Sequence, residues 1–303
     1  MKYKNKKAIV ALVIVIIVLI IFGFYLSTLN FEVLNPKGII ALQEKHLIIL
    51  ALVLSLFVVI PVFTLLILFA YKYRSTNKQA DYKPNWDKNA LLETIWWVIP
   101  SILIAILGYF TWTSSNTLDP FKKLGGQSSN SLKIEVVALD WRWLFIYPNQ
   151  KIATMNYFKI PVNTNVTFYI TSDAPMNSFW IPQLAGQIYA MPGMNTELNL
   201  SSYQTGVYRG LSANLSGIGF SAMSFKTDVV TSSDFSNWVS YVKKSNNSLS
   251  YAKFLRLTSP KIDTSTINFS DVDTSIYVKL INSYMSSVEK NKTVQKLNNP
   301  QVM

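Results

Sequence analysis

LIILALVLSLFVVIPVFTLLILFAY, residues 47–71, is 25 residues long and carries no charge. A hydrocarbon core of about 30 Å needs roughly 20 helical residues to cross it, so this stretch reads as a membrane-spanning helix. Two more stretches have the same character. Ala8–Leu26 is 19 residues without a charge, and Leu91–Trp112 is 22 residues with one, Glu93. Pro61 and Pro100 fall inside the second and third stretches. Membrane helices tolerate such prolines, because neighbouring groups satisfy the freed carbonyls.

The flanking charges orient the spans. Lys2, Lys4, Lys6 and Lys7 give the N-terminus +4. Residues 72–90 hold Lys72, Arg74, Lys78, Lys83 and Lys88 against Asp81 and Asp87, a net +3. Basic loops stay cytoplasmic, so everything from about residue 114 is expected outside the cytoplasm. Residues 1–30 read as a signal anchor or signal peptide. The uncleaved anchor is preferred, because the apolar run exceeds a signal peptide's usual ~7–15 residues and no A-x-A site follows it.

Composition narrows the chemistry. The chain has 303 residues, 50% hydrophobic and 15% charged, with no Cys and one His, His46. No thiolate site, disulfide or c-type haem attachment can form, and no site needing two imidazoles. The chain itself is expected to bind no metal. The net charge of +12 lies mostly beside the apolar stretches, so it reads as topology and not as a nucleic-acid surface.

Residues 114–130 are polar and read as a linker. From Ser131 the pattern changes to short apolar runs separated by Gly, Pro, Asn and Asp. Strands are predicted at Leu132–Leu139, Trp143–Tyr147, Asn165–Thr171, Ser178–Ile181, Gln187–Ala190, Thr196–Leu200, Gly206–Leu211 and Ser221–Val229. They make a Greek-key β-sandwich over 131–232. Beyond it, a polar extension (233–303) carries predicted short helices at Asp234–Val242, Ser250–Leu257 and 275–290. The fold class is membrane α plus all-β: a helical hairpin within 31–113 (helices about 47–71 and 91–112), then the sandwich, then a short helical extension.

Several motifs occur in a telling order: Leu34-Asn35-Pro36-Lys37-Gly38, Tyr71-Lys72-Tyr73-Arg74, Glu93-Thr94-Ile95-Trp96-Trp97-Val98-Ile99-Pro100, VALDWRWLFIYP (137–148), MNSFWIPQLAGQIYAMPGM (176–194) and LSANLSGIGFSAMSF (211–225). In this order and spacing the chain resembles subunit II of the haem–copper terminal oxidases, in the branch of the cytochrome bo-type ubiquinol oxidases. The resemblance covers roughly 31–245 and implies a cupredoxin-like outer domain. In the cytochrome c oxidase branch that domain holds a binuclear copper centre, whose ligands are a single His and then Cys-x-Glu-x-Cys-x-x-x-His-x-x-Met. Here Asn177 stands at the first position. Ser212 and Ser216 stand at the thiolates, Asn214 at the Glu and Phe220 at the second His; only Met223 matches. Hydroxyls cannot supply the soft bridging ligands copper needs.

The resemblance therefore implies a proton-pumping quinol oxidase, which oxidises quinol and reduces oxygen to water. Haem, copper and ubiquinone would sit in a partner subunit I, with subunits III and IV and membrane lipid around them. It also implies that Glu93 stands at the entrance of a proton channel. On the residues alone, Glu93 could equally be an acid favoured by the positive end of its helix. Trp141 and Trp143 are read as aromatics packing at the interface with that partner, and the glycines of SGIGF as turn residues. Three other readings stay open: a menaquinol oxidase subunit, a membrane-tethered metal-free cupredoxin with no oxidase partner, and a serine hydrolase using Ser212.

Overall fold

A computed structural model describes residues 31–80, 88–124 and 131–285, with Ile17, Ile21, Gly23 and Tyr25. Those four are helical; the rest of the Ala8–Leu26 span lies outside the described residues, as do 125–130 of the linker and 286–290 of the last predicted helix. The chain divides into two compact units, one containing Lys45–Thr117 and the other Glu32–Glu44 with the chain from Leu118 onward.

The first unit holds two apolar helices, α1 (Ile39–Lys72) and α2 (Ala90–Thr117). Pro61 and Pro100 lie within them. Both helices are longer than the apolar runs that announce them. At about 1.5 Å per residue, the 34 residues of α1 reach about 51 Å, well past a ~30 Å hydrocarbon core. Their side chains are exposed in the chain alone, Trp112 to 75% and Phe57 to 65%. An apolar surface of that size needs lipid or a partner subunit to cover it.

The start of α1 belongs to the second unit, which corrects the expectation that the helix begins near Leu47. The helix continues above the apolar run because its first N–H groups find carbonyls of the sandwich. Ile39 N–H donates to Ser201 (3.2 Å) and Ala41 N–H to Leu184 (3.4 Å). Just ahead of the helix, the N–H groups of Lys37 and Gly38 both donate to the Gln183 carbonyl, at 2.6 and 3.0 Å. These contacts cap a helix N-terminus that would otherwise leave four donors unpaired.

The sandwich has two main sheets. In chain order the strands are β1 (Leu132–Leu139), β2 (Arg142–Tyr147), β3 (Ile152–Met155), β4 (Tyr157–Pro161), β5 (Val166–Ser172), β6 (Asn177–Ile181), β7 (Ala185–Ala190), β8 (Thr196–Leu200), β9 (Gly206–Ser212) and β10 (Ser224–Val230). There follow α3 (Ser232–Lys243), β11 (Ser248–Leu249), α4 (Tyr251–Leu257), β12 (Ile267–Phe269), β13 (Asp271–Val272) and a last helix over 276–285. One sheet runs β12-β3-β2-β1-β5-β8 and the other β4-β10-β9-β6-β7. β1 pairs parallel with β5, and β10 with β4, as in a Greek-key barrel closed by crossovers.

Between the sheets lies an aromatic core. Phe179 stacks on Phe225 at 5.0 Å, and Phe145 packs on Phe158 at 4.6 Å. Such pairs add about 0.5–1.5 kcal/mol each beyond their burial. The sequence reading missed β3 and β4. Asn156 joins them in the left-handed region, φ 58°, and the chain passes there from one sheet to the other. Its side chain replaces the interrupted ladder: Oδ1 accepts from Trp143 N–H (3.0 Å), and Nδ2 donates to the carbonyls of Asp263 (2.7 Å) and Ser265 (3.0 Å).

The C-terminal extension is a third layer and not a loose appendage. Leu249, Phe254, Phe269, Val272, Ile276 and Leu280 form a second core with Val137, Leu139, Leu144 and Ile146 on the outer face of the six-stranded sheet. Burial on both faces explains why β1 and β2 read as nearly continuous apolar runs and not as alternation. The linker reading is also revised. The carbonyl of Pro120 accepts from Asn199 N–H (3.2 Å) and Nδ2 (3.1 Å), and that of Leu124 from Asn165 Nδ2 (2.9 Å), so residues 120–124 lie on the sandwich.

One buried charge in this layer titrates. Glu135 on β1 is 5% exposed; it pairs with Lys133 at 3.1 Å, but its Oε2 has no hydrogen-bond partner among the described residues. Burial raises its pKa above the usual carboxylate value, against the opposing pull of Lys133. A group whose pKa is higher folded than unfolded contributes stability that is complete below the unfolded value and is lost as pH rises through the folded one. Glu135→Gln removes that loss. The variant is expected to match or exceed the wild-type chain by about 1 kcal/mol at pH 7.5. The gap should close towards pH 4.5, read by thermal unfolding of the full chain. A variant clearly less stable at pH 7.5 would contradict this.

Candidate functional site

The residues singled out at the end of the sandwich do come together. Asn177, at the start of β6, is fully buried. Ser212, the last residue of β9, is 2% exposed, and its hydroxyl donates to Asn177 Oδ1 at 3.0 Å. Asn177 Nδ2 in turn donates to the Pro175 carbonyl at 2.8 Å. Ser212 N–H donates to the carbonyl of Met223 at 3.1 Å, and Met223 is itself 2% exposed. Asn214 reaches across to the neighbouring loop, its Nδ2 donating to Met176 O at 2.8 Å. Phe220 opens a short 3₁₀ turn, Phe220–Ala222, half-buried beside these residues. The buried Ser216 hydroxyl has no hydrogen-bond partner among the described residues, while its carbonyl accepts from the Trp141 indole N–H at 3.2 Å.

Trp141 organises this loop in a way the sequence reading did not anticipate. It sits in the two-residue turn between β1 and β2 with φ 61°, a left-handed conformation that is rare for a bulky side chain. Its indole ring lies under Ser216–Gly219. A Cβ on Gly219 would come within 2.2 Å of Trp141 Cδ2, so this glycine is there for close approach and not only to turn the chain. Gly217 does serve a turn, at φ 112°. Trp143 is different. It is fully buried, edge-on to Phe179 (5.4 Å) and Phe225 (5.6 Å), so its side chain offers no surface to a partner. The interface reading for Trp143 is therefore corrected to core packing.

Glu93 lies one turn into α2. Asn89 caps that helix, its Oδ1 accepting from Leu92 N–H at 3.0 Å, and its carbonyl accepts from Glu93 N–H at 3.0 Å. The Glu93 side chain is exposed in the chain alone.

Proteins of known type are similar to this chain in sequence. Residues 146–230 match the family described as cytochrome C oxidase subunit II, periplasmic domain. The cytochrome bo(3) ubiquinol oxidase subunit 2 of Pseudomonas putida is 44% identical over 259 residues, 86% of this chain and 82% of that protein. The protein of the same name from Buchnera aphidicola subsp. Schizaphis graminum is 42% identical over 278 residues, 91% of this chain and 94% of that one. The chain belongs to this family of ubiquinol oxidase subunits 2. Among solved structures, the periplasmic domain of subunit II of the Bradyrhizobium japonicum cytochrome oxidase is similar at 23% identity and TM-score 0.37, over 39% of this chain and 96% of that one.

As a terminal quinol oxidase subunit, the chain is part of an oxidoreductase complex with subunit I. Its cupredoxin end does not fit a binuclear copper centre. The side chains at the six positions are two amides, two hydroxyls, an aromatic ring and a thioether, with no thiolate to bridge two coppers. The amide oxygen of Asn177 is already engaged by Ser212. Nor does Ser212 look like a nucleophile: its hydroxyl is buried and donates to an amide oxygen, which cannot act as a base.

Proposed function

We propose that this ubiquinol oxidase subunit 2 carries no electrons itself. It anchors the complex and feeds protons to it. The haems, the copper and the ubiquinone belong to subunit I, subunits III and IV complete the assembly, and quinol oxidation is coupled to proton pumping. On this reading the chain crosses the inner membrane more than once, with the sandwich on the periplasmic side. The observation that carries it is the Asn177–Ser212–Met223 node, which closes by hydrogen bonds and burial the end where a copper relay would otherwise take electrons in. Leu215 and Ile218, 77% and 85% exposed on the same loop, give subunit I an apolar surface to cover.

In this reading Glu93 stands at the entrance of a proton channel into subunit I. A helix N-terminal acid that acts only on the dipole contributes about 0.3–1 kcal/mol of stability and nothing to turnover. A proton-uptake group slows the whole complex when removed. In the purified complex, Glu93→Ala is expected to lower quinol-dependent oxygen uptake about tenfold, a barrier increase of about 1.4 kcal/mol. Haem content should be unchanged, and Glu93→Asp should recover most of the rate. Normal turnover and normal proton pumping in Glu93→Ala would rule the role out.

A further inference from the structure

On the outer face of the five-stranded sheet, Arg209 of β9 stands directly opposite Lys226 of β10. Both side chains are exposed and neither forms an ion pair among the described residues. Cross-strand partners have Cβ atoms about 4.5–5.5 Å apart, and like charges so placed are destabilising. The acid next along β10 on the same face, Asp228, is already bound to Lys159 at 3.2 Å. The two cations are therefore held together without an ion-pair partner among the described residues.

They also line a cavity of about 450 Å³. Thr264 and Thr266 contribute to its wall from the C-terminal extension. That segment is fixed in place by Asn156, which donates to the carbonyls of Asp263 and Ser265, on either side of Thr264. Neither threonine hydroxyl has a protein partner among the described residues. Gln183 and Glu32 complete the rim on the side where the chain enters α1. A guanidinium, an ammonium and two free hydroxyls around one space are the donors that hold a tetrahedral oxyanion, the guanidinium in bidentate fashion. Glu32, the one acid in the lining, opposes binding and sets its strength.

We propose that this pocket is a phosphate-binding site, taking either the headgroup phosphate of an anionic phospholipid or a free phosphate. It is separate from the Asn177–Ser212–Met223 node and independent of the proton role given to Glu93.

The test uses the full chain in a phosphate-free maltoside detergent, with phosphorus NMR line broadening as the readout. The probes are dihexanoyl-phosphatidylglycerol, dihexanoyl-phosphatidylcholine and inorganic phosphate. Three variants are compared: Arg209→Gln with Lys226→Gln, Glu32→Gln, and a control of equal charge loss at the end of α3, Lys243→Gln with Lys244→Gln. The expected result is saturable broadening of phosphatidylglycerol or of inorganic phosphate. It should weaken at least tenfold in the Arg209/Lys226 variant, change less than twofold in the control, and strengthen in Glu32→Gln. Whichever probe binds at lower concentration identifies the source. Three results would each overturn the proposal: no saturable broadening by either anionic probe, equal weakening in site and control variants, or phosphatidylcholine binding as well as both anions.

Discussion

Replacing Gly38 with valine is expected to cut co-purification of this subunit with subunit I to below a tenth of the wild-type yield. The reason is backbone contact. A Cβ at position 38 would lie 2.2 Å from the Leu184 carbonyl oxygen and 2.8 Å from that residue's C and Cα. None of these atoms can rotate away, so the strand leading into α1 must lift from the sandwich. Lifting it breaks the bonds from the Lys37 and Gly38 N–H groups to Gln183, from Ile39 N–H to Ser201, from Ala41 N–H to Leu184, and from Tyr203 N–H to the Lys37 carbonyl. The Tyr203 hydroxyl also loses its bond to Pro36 O, now 2.6 Å. At about 1 kcal/mol net per hydrogen bond, several kcal/mol of docking are at stake. The sandwich core is untouched, so the near-ultraviolet circular dichroism of the variant should match wild type. Wild-type yield of the complex would show that these contacts between residues 36–41 and the sandwich are not needed for assembly. Three residues further into the helix, Glu44 accepts from Gly186 N–H, a glycine whose Cβ would sit 2.3 Å from that carboxylate oxygen.

Arg142→Ala is expected to release the C-terminal layer. Arg142 is 4% exposed, and its Nη2 donates to the carbonyls of Leu257 (2.5 Å) and Ser259 (2.9 Å), at and just beyond the end of α4. Burial pulls its pKa down while Asp263 and Asp140 pull it back up; a guanidinium stays charged throughout. Hydrogen bonds from a charged donor are worth about 1.5–3 kcal/mol each, and alanine leaves both carbonyls unpaired. A loss of about 3 kcal/mol in the local opening free energy means about 100-fold faster cleavage through the open form. Trypsin should therefore cut after Arg256 and Lys261 about 100-fold faster than in wild type, while the sandwich core stays protected. Unchanged cleavage would mean that Phe254 and Phe269 hold the layer without the arginine.

Much of this architecture is legible in the sequence, and the gaps have physical causes. The two apolar helices are visible because lipid demands long uncharged runs. Their ends are not, because a helix can continue past the membrane wherever another surface satisfies its N–H groups, as the sandwich does for Ile39 and Ala41. The corner between β3 and β4 is hidden because Asn156 takes a left-handed conformation usually signalled by glycine. The C-terminal layer is hidden because its anchors, from Leu249 to Leu280, are spread through a polar stretch with no single period. The spacing of Asn177, Ser212, Asn214, Ser216, Phe220 and Met223 is legible as a copper-ligand pattern without its thiolates. It could not show that Trp141 underpins the loop, since that depends on a ring packed against Gly219 from a distant turn.

The central claim is that this chain belongs to a quinol-oxidising complex and supplies no copper relay of its own. The most direct test is purification through a C-terminal tag in mild detergent, followed by haem spectra, quinol-driven oxygen uptake, and copper analysis of the isolated subunit. The expected result is co-purifying haem, oxygen uptake with quinol as donor and none with reduced cytochrome c, and no stoichiometric copper on this chain. Absence of haem, or two coppers per isolated subunit, would contradict it.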